Sequence, residues 1–347
     1  MQAAVYYGPD DLRVADRPVP NIGPKEVLLK VVRTGICATD LRILHGAHRM
    51  YPPGTRRIPG HEVFGELVEV GASIDWLKPG QRVFVAPNMG CGRCRQCITG
   101  NNNLCANFQA LGITLDGSFA EYMRVPEAAV SQGNLIPIAA EIDPAVAALI
   151  EPFACVLRGQ EAVNIRPGDY VLILGAGPIG VMHALLARMR GAGRVVVSEI
   201  LPERAEKIAQ LGVDRVVNPS REDLLSIVRE ESNGDGADVV IVAVPAPDAQ
   251  ESALELAGIR GRINFFGGLP KDKPFIRFNS NLVHYKELIV TGTTACSTND
   301  CHRAAEIVVS GRIDLYPLVS ANFPLSQVRQ AFQAAEDRKS LKVMLEP

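Results

Sequence analysis

Residues 170–180 read Y-V-L-I-L-G-A-G-P-I-G: five apolar positions run straight into three glycines spaced G-x-G-x-x-G. A glycine triplet of this kind says little alone. Here a strand-like run precedes it and a helix-like one follows, the context a dinucleotide-binding turn requires. Gly175 would make the tight turn, Gly177 would let the backbone approach a pyrophosphate, and Gly180 would allow close packing of helix on strand. Pro178 and Ile179 then open the helix, whose free N–H groups meet the phosphates. Glu199 stands 24 residues beyond Gly175, at the end of the next strand-like run. Its carboxylate suits a ribose 2′-hydroxyl and would repel a 2′-phosphate, so NAD is expected over NADP. Arg204 lies close by and could pair with that phosphate, which keeps it among the cofactor-contact candidates.

Outward from this turn, strands are expected at 194–198, 215–217, 238–242, 262–266 and 288–291, with helical segments such as 202–210 and 221–230 between them. Near-continuous apolar strands alternating with helices predict an α/β class, a doubly wound parallel sheet covered on both faces. Beyond about residue 292 come two helical patterns, 299–310 and 325–337, and a final strand-like L-K-V-M-L. The first 130 residues differ in kind. Short alternating runs (A-A-V-Y-Y, V-L-L-K-V-V-R, V-F-G-E-L-V-E-V, R-V-F-V-A-P) are punctuated by Pro and Gly, predicting a mostly β, barrel-like unit with long loops. At 143–158, D-P-A-V-A-A-L-I-E-P-F-A-C-V-L-R begins with an Asp cap and a Pro at the first helical position. A break or kink is expected at Pro152, beside Glu151.

Two stretches carry metal chemistry. Cys91, Cys94, Cys97 and Cys105 place four thiols in 15 residues of a glycine- and asparagine-rich loop. Four soft ligands at this spacing suit a closed tetrahedral zinc site, and the metal would supply folding energy that the polar loop lacks. An iron–sulfur cluster is the rival, but the usual fourth spacing and following proline are missing. The second stretch, I-P-G-H-E-V-F-G-E-L-V-E-V-G at 58–71, puts His61 and Glu62 side by side. With Cys37 upstream and Glu151 downstream they are candidate ligands for a catalytic zinc, which takes Cys, His and carboxylate donors and keeps one position open.

Length and composition bound the rest. At 347 residues, with 47% hydrophobic and 21% charged residues, two domains are expected. A net charge of −2 without any dense Lys/Arg run gives no reason to expect nucleic acid. The apolar segment 170–189 carries three glycines, Pro178, His183 and Arg188, so no membrane span is expected. The N-terminus has no signal-peptide pattern. A cytoplasmic location is expected, with the eight cysteines as ligands or buried thiols and not a disulfide framework.

Together these motifs resemble the zinc-containing medium-chain dehydrogenase/reductase family. G-H-E-x2-G-x5-G (Gly60, His61, Glu62, Gly65, Gly71), the four-cysteine lobe and G-A-G-P-I-G follow in that family's order, and L-I-E-P-F around Glu151 is similar to its polyol (sorbitol, L-iditol) branch. The resemblance implies a Rossmann domain at 152–292. Around it, 1–151 and 293–347 would form a discontinuous GroES-like catalytic domain, with the active site in the cleft. It further implies two zincs per chain, one on Cys37, His61 and Glu62, with Glu151 bound directly or through water. Zinc would act as a Lewis acid on a substrate hydroxyl whose carbon gives hydride to NAD. Thr39 matches the family's Ser/Thr proton-relay position. A small-molecule alcohol or polyol substrate and a homodimer or homotetramer are implied, the last strand of the sheet pairing with its copy.

One departure stands out. Many relatives carry His five residues after the ligand Cys, where this chain has Arg42. Arg cannot pass a proton at working pH. Water or His45 would complete the relay, or Arg42 would bind an anionic or polyhydroxy substrate, or it is a plain surface charge. Tyr51 and Phe119 are further candidates for the pocket wall. The competing functions are a threonine-type or other secondary-alcohol dehydrogenase and, from another class, a catalytically silent family member. The latter predicts lost ligands, and none is lost.

Overall fold

The strand Tyr170–Leu174 lies inside a six-stranded, wholly parallel sheet. The order is Arg215–Val217, Arg194–Ser198, Tyr170–Leu174, Ala237–Val242, Ala257–Phe265, Ile289–Gly292. The chain winds outward on one side of Tyr170–Leu174, then returns and winds outward on the other. Such a reversal leaves a crevice at the carboxyl ends of the strands, where ligands of doubly wound sheets bind. Ile289–Gly292 is an open edge.

The computed structural model describes residues Met1–Pro347 in two units, Met1–Ala154 with Ala295–Pro347, and Cys155–Thr294. The parallel sheet belongs to the second. Val196, Val240, Val242, Leu172 and Ile263 fill one of its faces, closed by Ala253, Leu254, Ile227 and Val228 from the helices. The helix expected at 221–230 is Leu224–Glu231, because Asp223 caps it by accepting from the N–H groups of Leu225 and Ser226. The fifth strand begins at Ala257 and not at 262; Arg260, at φ +58°, makes its start irregular and hid it from a period-two pattern.

The first unit is mostly β. A seven-stranded sheet runs Val319–Pro324, Lys342–Glu346, Val27–Gly35, Glu62–Val70, Arg82–Val85, Leu135–Pro137, with Tyr122–Val125 also on Val27–Gly35. All pairs are antiparallel except the first. Val27–Gly35 is buried along most of its length, as its run of Val and Leu requires. At its end Gly35 faces Glu62 on one side and Met344 on the other. That convergence positions the site.

Around Glu151 the expectation needs correction. The helix Pro144–Ala148 stops at Leu149 and Ile150–Val163 starts afresh, so the break falls before Glu151 and not at Pro152. Pro152 sits in the first turn, where a missing N–H costs no intrahelical bond.

Candidate active site

Cys37 follows Gly35 by two residues and caps the helix Ala38–Leu44. Because Gly35 and Glu62 are register partners, the strand pair brings Cys37 to His61 and Glu62. A thiol, an imidazole nitrogen and a carboxylate oxygen from these three lie within 4.8 Å of one another, with His61 and Glu62 buried. Three mixed donors converging in this way fit zinc with one position left open.

Two residues not singled out in the sequence complete the cluster. Asp40 is buried; its Oδ2 accepts from the Cys37 N–H at 2.8 Å, and its Oδ1 stands 3.5 Å from His61 Nδ1. Neither of these two atoms has a hydrogen-bond partner; a proton on Nδ1 would face Asp40 and leave Nε2 for a metal. Burial works against a charged His61, yet Asp40 and Cys37 draw its pKa well above the usual histidine range. Lys342, also buried, ion-pairs with both carboxylate oxygens of Glu62. Burial opposes its charge, but Glu62 and Cys37 outweigh that and raise its pKa. A Cβ on Gly35 would come 2.1 Å from Glu62 Oε2 and 2.9 Å from Lys342 Cε, so only glycine fits beneath the pair.

Glu151 is not in that cluster. It lies buried with its Oε1 3.7 Å from Cys296 Sγ, which is 3.5 Å from Cys301 Sγ. Burial, chiefly, pushes its carboxyl up to about 7, with Glu62 adding and His61 and Lys342 opposing.

Thr39, half-buried in the helix Ala38–Leu44, accepts from Arg42 Nη2 at 3.2 Å, while the Arg42 side chain is exposed. His45 is corrected as a relay candidate. Its Nδ1 is 2.6 Å from Asp10 and its Nε2 2.6 Å from Glu336, so neither nitrogen is left for Thr39. Tyr51 and Phe119 are not pocket walls either. Both are buried core: the Tyr51 hydroxyl donates to the Gly112 carbonyl and Phe119 packs edge-on against Phe332.

The four-cysteine loop gathers Cys91, Cys94, Cys97 and Cys105 within 4.8 Å. Cys94 Sγ is 3.5 Å from Cys97 Sγ and 3.8 Å from Cys105 Sγ. Four sulfurs about 2.3 Å from one tetrahedral centre stand about 3.8 Å apart, so the thiols fit zinc. Cys105 Sγ accepts from the Cys91 and Asn107 N–H groups, each at 3.3 Å. N–H groups of Arg93 and Cys94 draw the Cys91 thiol down to about 6. Gln132 clamps Gly90 through both of its backbone groups, and Asn102 ties the loop to Asn88 and Thr298.

In the second unit Gly175 is at φ +105°, and a Cβ on Gly180 would lie 1.8 Å from the Gly175 carbonyl oxygen. Gly177 caps the helix Pro178–Met189, with Pro178 at its first position and Ile179 next. This bare turn is a cradle that side chains would fill, and it fits a pyrophosphate. Glu199 is buried; it accepts from Ala176 N–H at 2.8 Å on Oε2, and from Ile200 and Leu201 N–H on Oε1. A carboxylate offers about four acceptor positions, so one remains for a ribose hydroxyl. A Cβ on Gly177 would lie 3.5 Å from Arg204 Nη1, which places this cation at the turn.

Comparison with known proteins identifies the family. Residues 23–137 match the alcohol dehydrogenase GroES-like domain and residues 178–310 the zinc-binding dehydrogenase family. The L-threonine 3-dehydrogenase of Caldanaerobacter subterraneus subsp. tengcongensis is 34% identical, over 98% of this chain and 97% of that protein. The sorbitol dehydrogenase of Bacillus subtilis is 33% identical, over 100% and 97%. A putative zinc-binding dehydrogenase from Sinorhizobium meliloti, solved bound to NADP, superposes with a TM-score of 0.91 at 32% identity, covering 100% of this chain and 99% of that one.

Proposed function

Since the chain belongs to the zinc-binding dehydrogenase family, with an alcohol dehydrogenase GroES-like domain, we propose that it oxidises a secondary hydroxyl of a polyol or sugar-like substrate with NAD. The observation that carries this reading is the Cys37–His61–Glu62 cluster with the Thr39 hydroxyl two residues from its thiol ligand. Cys37, His61 and Glu62 would hold one zinc, which Glu151, outside their cluster, would meet directly or through water, and Cys91, Cys94, Cys97 and Cys105 would hold a second. When bound, zinc supplies Lewis acidity toward an alcohol oxygen and NAD supplies the hydride acceptor.

The chain's own residues do the remainder. Oxidation removes a hydride from carbon and a proton from oxygen. Thr39 takes the proton: its oxygen accepts from Arg42, and its own hydrogen is free to pass onward to water. Asp40 places its carboxylate 3.5 Å from His61 Nδ1, and Lys342 holds Glu62 in one orientation. On the nucleotide side, Gly175, Gly177 and Gly180 with Pro178 and Ile179 make the pyrophosphate turn. Glu199 favours NAD; Arg204, beside the turn, is the cation nearest to where a 2′-phosphate would add.

L-threonine is the second reading, favoured by the 34% identity to an L-threonine 3-dehydrogenase. The open edge strand Ile289–Gly292 supports pairing with a second copy, hence a homodimer or homotetramer. No helix is long and apolar enough to cross a membrane; a cytoplasmic location is part of the proposal.

The test is reduction of NAD, with NADP in parallel, by polyols, threonine and simple secondary alcohols. Turnover of a polyol with NAD supports the proposal. Turnover of threonine alone replaces the substrate, and no turnover of any hydroxyl compound by zinc-loaded protein refutes the reading.

A further inference from the structure

The helix Ala38–Leu44 carries a charge that the proton chemistry does not use. Arg42 lies three residues after Thr39, so the two share a helix face, and its Nη2 holds the Thr39 hydroxyl at 3.2 Å. A guanidinium stays protonated and cannot pass a proton on, so its place beside the relay hydroxyl calls for another explanation.

Several arginines elsewhere are paired with acids: Arg13 with Asp11, Arg194 and Arg215 with Glu231, Arg262 with Asp169. Arg42 and Arg49 have no acidic partner, and Arg42's one bond is to Thr39. The nearby acid, Asp40, is buried and turned inward to Cys37 and His61. His48 stands among these cations. Its Nδ1 accepts from the Met50 N–H at 3.3 Å, so its proton is on Nε2 and the ring is a neutral donor. Burial and the fields of Arg42, His61 and Arg49 hold it neutral, down to about 4. Arg42 and Arg49, both exposed, place positive charge around this neutral ring, with Asp40 opposing.

We propose that Arg42, assisted by Arg49 and His48, binds the carboxylate of a hydroxy-acid substrate whose hydroxyl, one or two carbons away, reacts beside Thr39. This rests on the dehydrogenase reading above. A guanidinium has five N–H donors in a planar fork, so after one is given to Thr39 others remain for a carboxylate. Hydrogen bonds from Arg42 and Thr39 would each span about 2.8–3.0 Å. With their atoms 3.2 Å apart, a 2- or 3-hydroxy acid bridges them without strain.

The experiment compares molecules of the same carbon skeleton that end in a carboxylate or in a neutral group: D-gluconate with sorbitol, and 3-hydroxybutyrate with 2-butanol. Sorbitol 6-phosphate separates phosphate from carboxylate. Wild type, Arg42→Gln, Arg42→Lys and Arg49→Gln are assayed with NAD, and zinc content is checked in each. We expect the carboxylate to exceed its neutral partner at least tenfold in kcat/KM. That ratio should fall at least tenfold in Arg42→Gln, through KM, fall less in Arg49→Gln, and recover in part in Arg42→Lys. Calorimetric binding of 3-hydroxybutyrate, independent of turnover, should be lost in Arg42→Gln. Preference for the neutral partner, an unchanged ratio in Arg42→Gln, or equal binding by both proteins overturns the proposal while leaving the dehydrogenase reading intact. A phosphate preference overturns the carboxylate. No oxidation of any hydroxyl compound takes both readings down.

Discussion

Lys342 and Glu62, 280 residues apart, form a buried ion pair across Gly35, with side-chain exposures of 4% and 0%. Three strands meet there: Val27–Gly35 between Glu62–Val70 and Lys342–Glu346. The pair fixes the carboxylate offered to the candidate metal centre and ties the C-terminal strand to it. Breaking a buried pair from one side leaves an uncompensated charge and typically costs about 3–5 kcal/mol.

Lys342→Met is therefore expected to lower stability by about that amount. The double variant with Glu62→Gln should recover most of it, since no charge is then stranded. Denaturant unfolding of the three proteins measures this. A single-variant loss below about 1 kcal/mol, as for an exposed pair, would contradict the assignment.

Thr39→Val keeps the shape of the side chain and removes the hydroxyl. With the proton path through Thr39, kcat should fall by roughly 10²–10⁴ while zinc content stays at the wild-type level. Stopped-flow turnover and metal analysis on one sample decide the matter. An unchanged kcat would mean the proton leaves by another route.

His45 bridges three elements: its own helix, Asp10 in the turn after the strand Gln2–Gly8, and Glu336 in the helix Val328–Glu336. The hydrogen bond to Asp10 raises its pKa, burial opposes, and Glu336 adds to the rise. A group whose folded pKa lies above its unfolded value of about 6.5 stabilises fully below that value. The contribution is lost as pH rises through the folded pKa. Thermal midpoints followed from pH 5 to 9 should show this loss in the wild type and not in His45→Gln. Parallel curves for the two proteins would rule the bridge out as a source of stability.

Glu199 accepts from three backbone N–H groups around the glycine turn, so Glu199→Ala should both loosen the turn and remove the charge facing a 2′-phosphate. The KM for NAD is expected to rise about tenfold or more, with the ratio of NADP to NAD use shifting toward NADP. Steady-state kinetics with each nucleotide measures both. If NADP is used better than NAD by the unaltered protein, Arg204 and not Glu199 governs the choice.

Tyr170–Leu174 and Arg194–Ser198 could be bounded to the residue in the sequence, because a strand covered on both faces is apolar throughout and the glycines mark where it must stop. The four cysteines were legible because ligand spacing within one loop is a local property. Lys342 was not. A lone Lys in L-K-V-M-L reads as an outward position on an alternating strand, and only the pairing of that strand with Gly35 turns it onto Glu62. Asp40 was hidden likewise: in C-A-T-D it reads as a helix-cap partner, which it is, but its second oxygen turns to His61. Tyr51 and Phe119 misled because aromatic residues near a site motif line a pocket or fill the core equally well by pattern. The exclusion of His45 depends on Glu336, which no local pattern connects to it.

We propose that the chain holds two separate zincs, one on Cys37, His61 and Glu62 and one on the four-cysteine loop. Zinc per chain should be measured on the purified wild type, on His61→Ala and on Cys94→Ser. Two zincs are expected in the wild type and one in each variant, with activity absent from His61→Ala. Two zincs remaining in His61→Ala, or a single zinc in the wild type that Cys94→Ser abolishes, would contradict it.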